Sequence, residues 1–131
     1  MIQEAYCSFE VAKLLKEKGF DEKTMTYYED EILCNGDWYE WNRSPFGHTA
    51  APTHQMAMKW LRKKDIYVCP KYCCFCGSKK KDVPYFLWEP RILRLSTNNI
   101  IYPQLMDMCK HCNSYEEAVE AALKYTLENL I

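Results

Sequence analysis

Two cysteine pairs carry the sharpest spacing in the chain. Cys73-Cys74-Phe75-Cys76-Gly77 contains C-x-x-C-G, and Cys109-Lys110-His111-Cys112-Asn113 contains a second C-x-x-C. Two thiolates at that spacing suit a knuckle. They hold one ion while the small or turn-prone residue after them lets backbone N–H groups point at sulfur. Cys73, Cys76, Cys109 and Cys112 together supply four soft ligands, the number a structural zinc takes, and Cys74 and His111 are then spare. The same residues also read as buried thiols acting as small hydrophobes. If residues 66–76 form one strand, paired across a lysine-rich turn with Val83 onward, Cys73 and Cys76 face opposite ways and cannot chelate together. A thioredoxin-like redox use needs the motif between a strand and a helix start, and only Cys109/Cys112 come near that.

A second group could form a ligand pocket. Trp38, Tyr39, Trp41, Arg43, Phe46, His48 and His54 gather around the longest irregular stretch, Asn42 to Pro52. Aromatic planes stack on bases and rings, and Arg pairs with phosphate or carboxylate. His54 falls in the first turn of a helix, whose unpaired N–H groups favour an anion. That combination suits a nucleotide-like ligand. The alternative is that the rings fill a core and Arg43 is solvated.

Nothing asks for an enzyme. His48, His54 and His111 have no local nucleophile motif beside them. G-x-S-x-G, H-E-x-x-H and glycine-rich phosphate loops are all missing. With 4 Gly in the chain, a phosphate-cradling loop is hard to build. The run Glu29-Asp30-Glu31 reads as a solvated turn rather than a metal site. A hydrolase or nuclease built on these acids and histidines remains the weakest alternative.

Composition sets the frame for these residues. The chain has 131 residues, 48% hydrophobic and 27% charged, which fits a single globular domain spanning residues 1–131. A chain of this size folds without needing a metal or a disulfide. The net charge of −1 favours neither nucleic acid nor membrane. Residues 1–58 nevertheless hold ten acids against five bases. Eight bases (Lys59, Arg62, Lys63, Lys64, Lys71, Lys79, Lys80, Lys81) crowd residues 59–81, where Asp65 is the lone acid. A charged helix end followed by a charged turn accounts for them better than a nucleic-acid footprint does. The start, Met1-Ile2-Gln3-Glu4-Ala5, lacks the charged region and apolar run of an export signal. The expectation is a chain that stays in a reducing compartment, with its eight cysteines mostly thiols.

The elements that must position these residues follow from caps and periodicity. Ser8 is a good N-cap for a helix with Phe9, Val11, Ala12, Leu14 and Leu15 on its apolar face, and Gly19-Phe20 supplies its stop. Thr53 caps a second helix bearing Met56, Ala57, Trp60 and Leu61, with Arg62-Lys63-Lys64 on its negative end. Ser114-Tyr115-Glu116-Glu117 is a capping box. It opens a third helix with Val119, Ala122, Leu123, Thr126, Leu127 and Leu130 as its buried stripe, and Glu120–Lys124 as an i,i+4 pair.

Strands fill the space between the helices. Ile32–Cys34, an Asn35-Gly36 turn of type I′ and Trp38–Trp41 predict a hairpin. Ile66–Cys69, Val83–Leu95 interrupted at Pro90, and Ile100–Tyr102 are further strands. The fold class predicted is α+β, a small antiparallel β-sheet packed by about three amphipathic α-helices.

The segments Ala51–Arg62, Ser114–Tyr125 and Ser8–Leu15 resemble small proteins encoded by phages and prophages of gut Bacteroidales. Roughly half the chain is covered, mainly the three helices. The matching residues are caps and core positions, so the resemblance implies no activity. The cysteine-rich stretches around Cys69–Cys76 and Met106–Asn113 depart from that pattern.

What the resemblance implies is a phage-type accessory protein in the cytoplasm of a bacterial host. On this reading it is a non-enzymatic binding module for a host protein or a small nucleotide-like ligand, with interference in host defence as one role. The alternative is a zinc-stabilised interaction or nucleic-acid-binding module.

Overall fold

The structure, a computed structural model, describes residues 2–74, 86–101 and 112–131. Among these, three α-helices and small antiparallel ladders of two or three strands make an α+β arrangement, as the sequence predicts. The chain forms two compact units, one of residues 1–60 with 123–131 and one of residues 61–122.

The first unit opens with α1 (Phe9–Glu17). Ser8 Oγ accepts from the Val11 N–H at 3.2 Å and satisfies a donor of the first turn. The helix stops at Gly19, whose φ of +92° is a left-handed conformation glycine adopts without a Cβ penalty. Phe20 N–H then donates to Leu15 O at 2.9 Å, and Gly19 N–H to Lys16 O at 3.2 Å. Those two bonds are the pair a Schellman stop requires, and the Leu15 and Phe20 side chains it brings together are both buried. Burial of each such side chain stabilises the fold by roughly 1.5–3 kcal/mol.

β1 (Thr24–Glu29) lies at the centre of a three-stranded antiparallel ladder, between β2 (Ile32–Tyr39) and β3 (Thr49–Ala50). Thr24, Thr26 and Tyr28 point inward, and Met25, Tyr27 and Glu29 point out. The inward hydroxyls are satisfied by backbone carbonyls. Thr24 Oγ1 donates to Thr26 O at 2.7 Å, Thr26 Oγ1 donates to Ala51 O, and Tyr28 Oη donates to Cys7 O at 2.7 Å. Tyr28 packs with Ala12 and Ala51, and Phe9 meets its ring edge-on at 5.3 Å.

The Asn35-Gly36 hairpin does not form. β2 runs straight through both residues, and the turn falls earlier, at Asp30-Glu31, where Asp30 takes a φ of +55°. Aspartate tolerates that left-handed region through its short polar side chain, so no Asn-Gly is needed there. Asn35 instead sits opposite Thr26, and the register slips between there and the Thr24–Tyr39 pair. In that slip three residues of β2, Gly36 to Trp38, face Met25 alone, so the strand bulges by two residues.

α2 (His54–Arg62) follows, with Thr53 Oγ1 accepting from the Met56 N–H at 3.2 Å. Trp60 on this helix meets Phe20 edge-on at 5.6 Å. α3 (Tyr115–Asn129) buries Val119, Ala122, Leu123, Thr126 and Leu127. Its cap is close to the expected box: Ser114 Oγ accepts from Glu117 N–H at 3.1 Å. The Glu117 carboxylate reaches one residue further back, to the Asn113 N–H at 2.8 Å. Lys124 reaches Glu10 on α1 at 2.8 Å in place of the expected Glu120. An exposed pair of that kind is worth roughly 0–1 kcal/mol.

In the second unit, β4 (Ile66–Val68) pairs with β7 (Ile92–Arg94), which pairs with β8 (Asn99–Ile100). β5 (Lys71–Cys74) pairs with β6 (Phe86–Glu89). The predicted strand Ile66–Cys69 forms as β4, and the alternative of one continuous strand over residues 66–76 is interrupted at Pro70 within its described part. The two ladders nevertheless share one register: Val68 sits opposite Ile92 and Lys71 opposite Glu89. Continuing the count sets Cys69 against Arg91 and Pro70 against Pro90, and Cys69 N–H does donate to Arg91 O at 2.8 Å. This is one antiparallel ribbon, broken where neither proline has an N–H to give.

Candidate functional site

An open cavity of about 540 Å³ lies on the first unit, lined by Tyr27, Asp37, Trp38, Tyr39, Trp41, Ser44, Pro45, Phe46 and His48. Three pieces of chain build it. β1 presents Tyr27 on its outer face, the bulged end of β2 presents Asp37 to Tyr39, and the stretch after β2 supplies the rest. That stretch begins with a single 3-10 turn, Trp41–Arg43.

The rings are ordered about Trp41. Tyr27 stacks on it with centroids 4.1 Å apart and planes 26° from parallel. Tyr39 meets it edge-on at 5.1 Å, and His48 meets it at 5.3 Å with planes 84° apart. His48 also stands edge-on to Tyr27 at 4.7 Å, with Phe46 beyond it at 6.3 Å. The indole N–H of Trp41 donates to Thr24 O at 2.9 Å and Asp37 O at 3.2 Å, so what remains for a ligand is ring surface. Ser44 Oγ pairs with His48 Nδ1 at 2.9 Å and accepts from Phe46 N–H at 3.3 Å, which fixes the imidazole plane. Partial burial pushes the Tyr27 hydroxyl above its ordinary ionisation range, with Cys34 and Glu29 adding to the rise, so it stays a neutral phenol.

The stretch after β2 has few hydrogen-bonding groups left to itself. Asn42 Nδ2 donates to Phe20 O at 2.8 Å while its Oδ1 accepts from Ala50 N–H at 2.7 Å. Lys16 Nζ donates to His48 O at 2.8 Å. Loops held this way can keep rings in place without a ligand.

No family model, curated protein or solved structure matches this chain. The geometry therefore carries the functional reading by itself.

Of the sequence-predicted ligand residues, Trp38, Tyr39, Trp41, Phe46 and His48 all line the cavity. Arg43 and His54 do not. The Arg43 guanidinium lies between Asp21 at 3.2 Å and Glu40 at 3.3 Å. His54 is 4% exposed at the start of α2, with its N–H donating to Ala5 O at 2.9 Å. The first N–H groups of that helix are turned to protein, since Thr53 also takes those of Met56 and Ala57. The ring of His54 instead comes within 4.8 Å of the Cys7 thiol, ligand atom to ligand atom.

Tyr27, Asp37, Ser44 and Pro45 complete the lining without having been singled out in the sequence. β1 was the missing piece. Its period-2 alternation is present, but the inward residues are two threonines and a tyrosine, so hydrophobic patterning does not flag it.

Of the four expected zinc ligands, Cys76 and Cys109 lie outside the described residues. Cys73 sits on β5 opposite Leu87. Cys112 is buried, and its carbonyl accepts from the Trp88 N–H at 3.0 Å. Burial, with Glu117 adding to it, raises the Cys112 pKa, and burial likewise raises that of Cys69. Among the described residues no helix is long and apolar enough to cross a membrane.

Proposed function

We propose that this chain is a non-enzymatic binding module of phage-accessory type, acting on a host protein or small ligand through the aromatic cavity. One observation carries the reading: residues from β1, β2 and the following turn converge on one cavity, and its rim leaves large apolar side chains in water. Trp38 is 57% exposed and Phe46 84% exposed. Exposed rings grouped at one concavity mark recognition surfaces more often than they mark packing. The loop that holds them is tied down, so binding would cost little ordering entropy. A phosphate is not provided for, because Arg43 is already engaged by two carboxylates. That narrows the nucleotide-like option to its ring and favours recognition without an anion.

Native mass spectrometry of the protein, purified from cells carrying its natural host's contents, tests this. The expected result is a co-purified species on the wild type that is lost in the Trp38→Ala/Phe46→Ala double variant, with the melting temperature unchanged. Equal occupancy in both proteins would overturn the assignment to this cavity.

A further inference from the structure

We infer that the aromatic cavity takes a quaternary or methylated ammonium group. The inference rests on reading the cavity as a binding site and names what that site binds. Three classes of ligand compete for such a space, and the lining discriminates among them.

An anion is disfavoured. The lining includes Asp37 and neither lysine nor arginine. A neutral flat ring wants two parallel faces to slide between. The near-parallel pair here, Tyr27 and Trp41, is already closed on itself at 4.1 Å. The other ring contacts cross at 57° to 84°, which makes walls rather than a slot.

A cation is favoured on two grounds. Aromatic faces carry the negative part of the ring quadrupole, and several faces turned about one space attract a positive charge together. Asp37 is a lining residue and brings a negative charge to this part of the surface. The surrounding sequence has the same sign, with ten acids against five bases over residues 1–58.

Among cations, hydrogen-bonding demand decides. A guanidinium brings five N–H donors and a lysine ammonium three, each needing an acceptor once out of water. Ser44 Oγ is already taken by His48 and Phe46, which leaves Asp37 and the Tyr27 and Tyr39 hydroxyls as side-chain acceptors of the lining. A methylated ammonium has few or no donors to satisfy and presents methyl groups to the rings. The same chemistry belongs to a choline-type small molecule and to a trimethylated lysine side chain.

The test is a titration followed by the indole resonances of Trp38 and Trp41. Four probes are used: choline, its neutral isostere 3,3-dimethylbutan-1-ol, adenosine, and a short peptide bearing trimethyllysine. Choline or the peptide should bind at least about tenfold more tightly than the neutral isostere. The tighter of the two shows which source the site prefers. Asp37→Asn keeps the backbone carbonyl that Trp41 uses and should weaken both cations several-fold with no change in melting temperature. Equal binding of choline and its isostere overturns the inference, because the cavity is then merely apolar. Adenosine binding more tightly than either cation also overturns it, while leaving the binding-module reading standing. If no probe moves either indole, the inference fails, and the co-purification comparison then decides separately whether the cavity binds anything.

Discussion

Gly36 lies directly beneath Trp41: a Cβ on residue 36 would come 2.7 Å from Trp41 Cζ2 and 2.9 Å from Tyr27 Cε1. Real Cβ atoms do not approach ring carbons so closely, and neither ring is a flexible chain end that swings aside. Gly36→Ala must therefore displace the stacked pair. The expected cost is roughly 1–3 kcal/mol, as for other overpacked sites. It should come with a shift in tryptophan emission, and urea denaturation measures the first while fluorescence measures the second. An Ala variant as stable as the parent would show that the rings are not packed on residue 36.

Asn42 is the clamp on the cavity's loop. Its amide donates to Phe20 O and accepts from Ala50 N–H, so one side chain holds the loop to the end of α1 and to β3. Asn42→Ala leaves two backbone groups without those partners, at a cost of about 1–3 kcal/mol. Arg43→Ala removes only exposed ion pairs and should cost less than about 1 kcal/mol. Thermal melts of the two variants side by side check the ranking. Arg43→Ala should also leave cavity binding intact.

Stability should fall on the alkaline side, where raised Cys and Tyr groups and Lys124 all contribute, and two of these contributions are separable. The Cys112 thiol has its folded pKa raised above the ordinary 9.0 by burial. Its contribution is thus fully present below pH 9.0 and is lost as pH climbs through the raised value. The Lys124 ammonium is raised above 10.5, chiefly by its hydrogen bond to Glu10. It behaves the same way, present below 10.5 and lost above. Glu10→Gln should remove the second loss and leave the first, which unfolding curves taken from below pH 9.0 to above 10.5 will show.

The raised Cys112 pKa also predicts slow chemistry at that thiol. A buried, protonated sulfur is a poor nucleophile. Brief treatment of the native protein with iodoacetamide, followed by peptide mass mapping, should label the partly exposed Cys34 well before Cys112. Equal rates at neutral pH would contradict the burial.

A chain of 131 residues buries enough surface to fold without a metal. Chelator in reducing buffer is therefore expected to leave the melting temperature unchanged. A large drop, together with about one zinc per chain by elemental analysis, would make the paired cysteines the scaffold and revive the zinc reading.

The helices were legible because their signals are local. Ser8, Thr53 and Ser114 accept from N–H groups three residues on, and Gly19 stops α1 through its own φ. Pro90 marked its break in the same way, since a missing N–H needs no distant partner to matter. Five cavity rings were also legible, as aromatic residues gathered by sequence proximity alone.

The hairpin was misread for the opposite reason. Asn35-Gly36 has the local chemistry of a turn, but its glycine is used for space beneath Trp41 and Tyr27. β1 went unseen because its inward face is threonine and tyrosine, and two of those hydroxyls, Thr26 and Tyr28, are satisfied by the distant carbonyls of Ala51 and Cys7.

By itself the sequence determined where helices begin and stop, that the strands would pair antiparallel, and which rings would be near one another. Those properties depend on residues a few positions apart. Only the tertiary structure decided that Tyr27 and Asp37 join those rings, that Arg43 is held between Asp21 and Glu40, and that His54 is buried elsewhere. A side chain's electrostatic and steric partners come from distant segments, and pairing those segments is settled by packing and register rather than by any local preference.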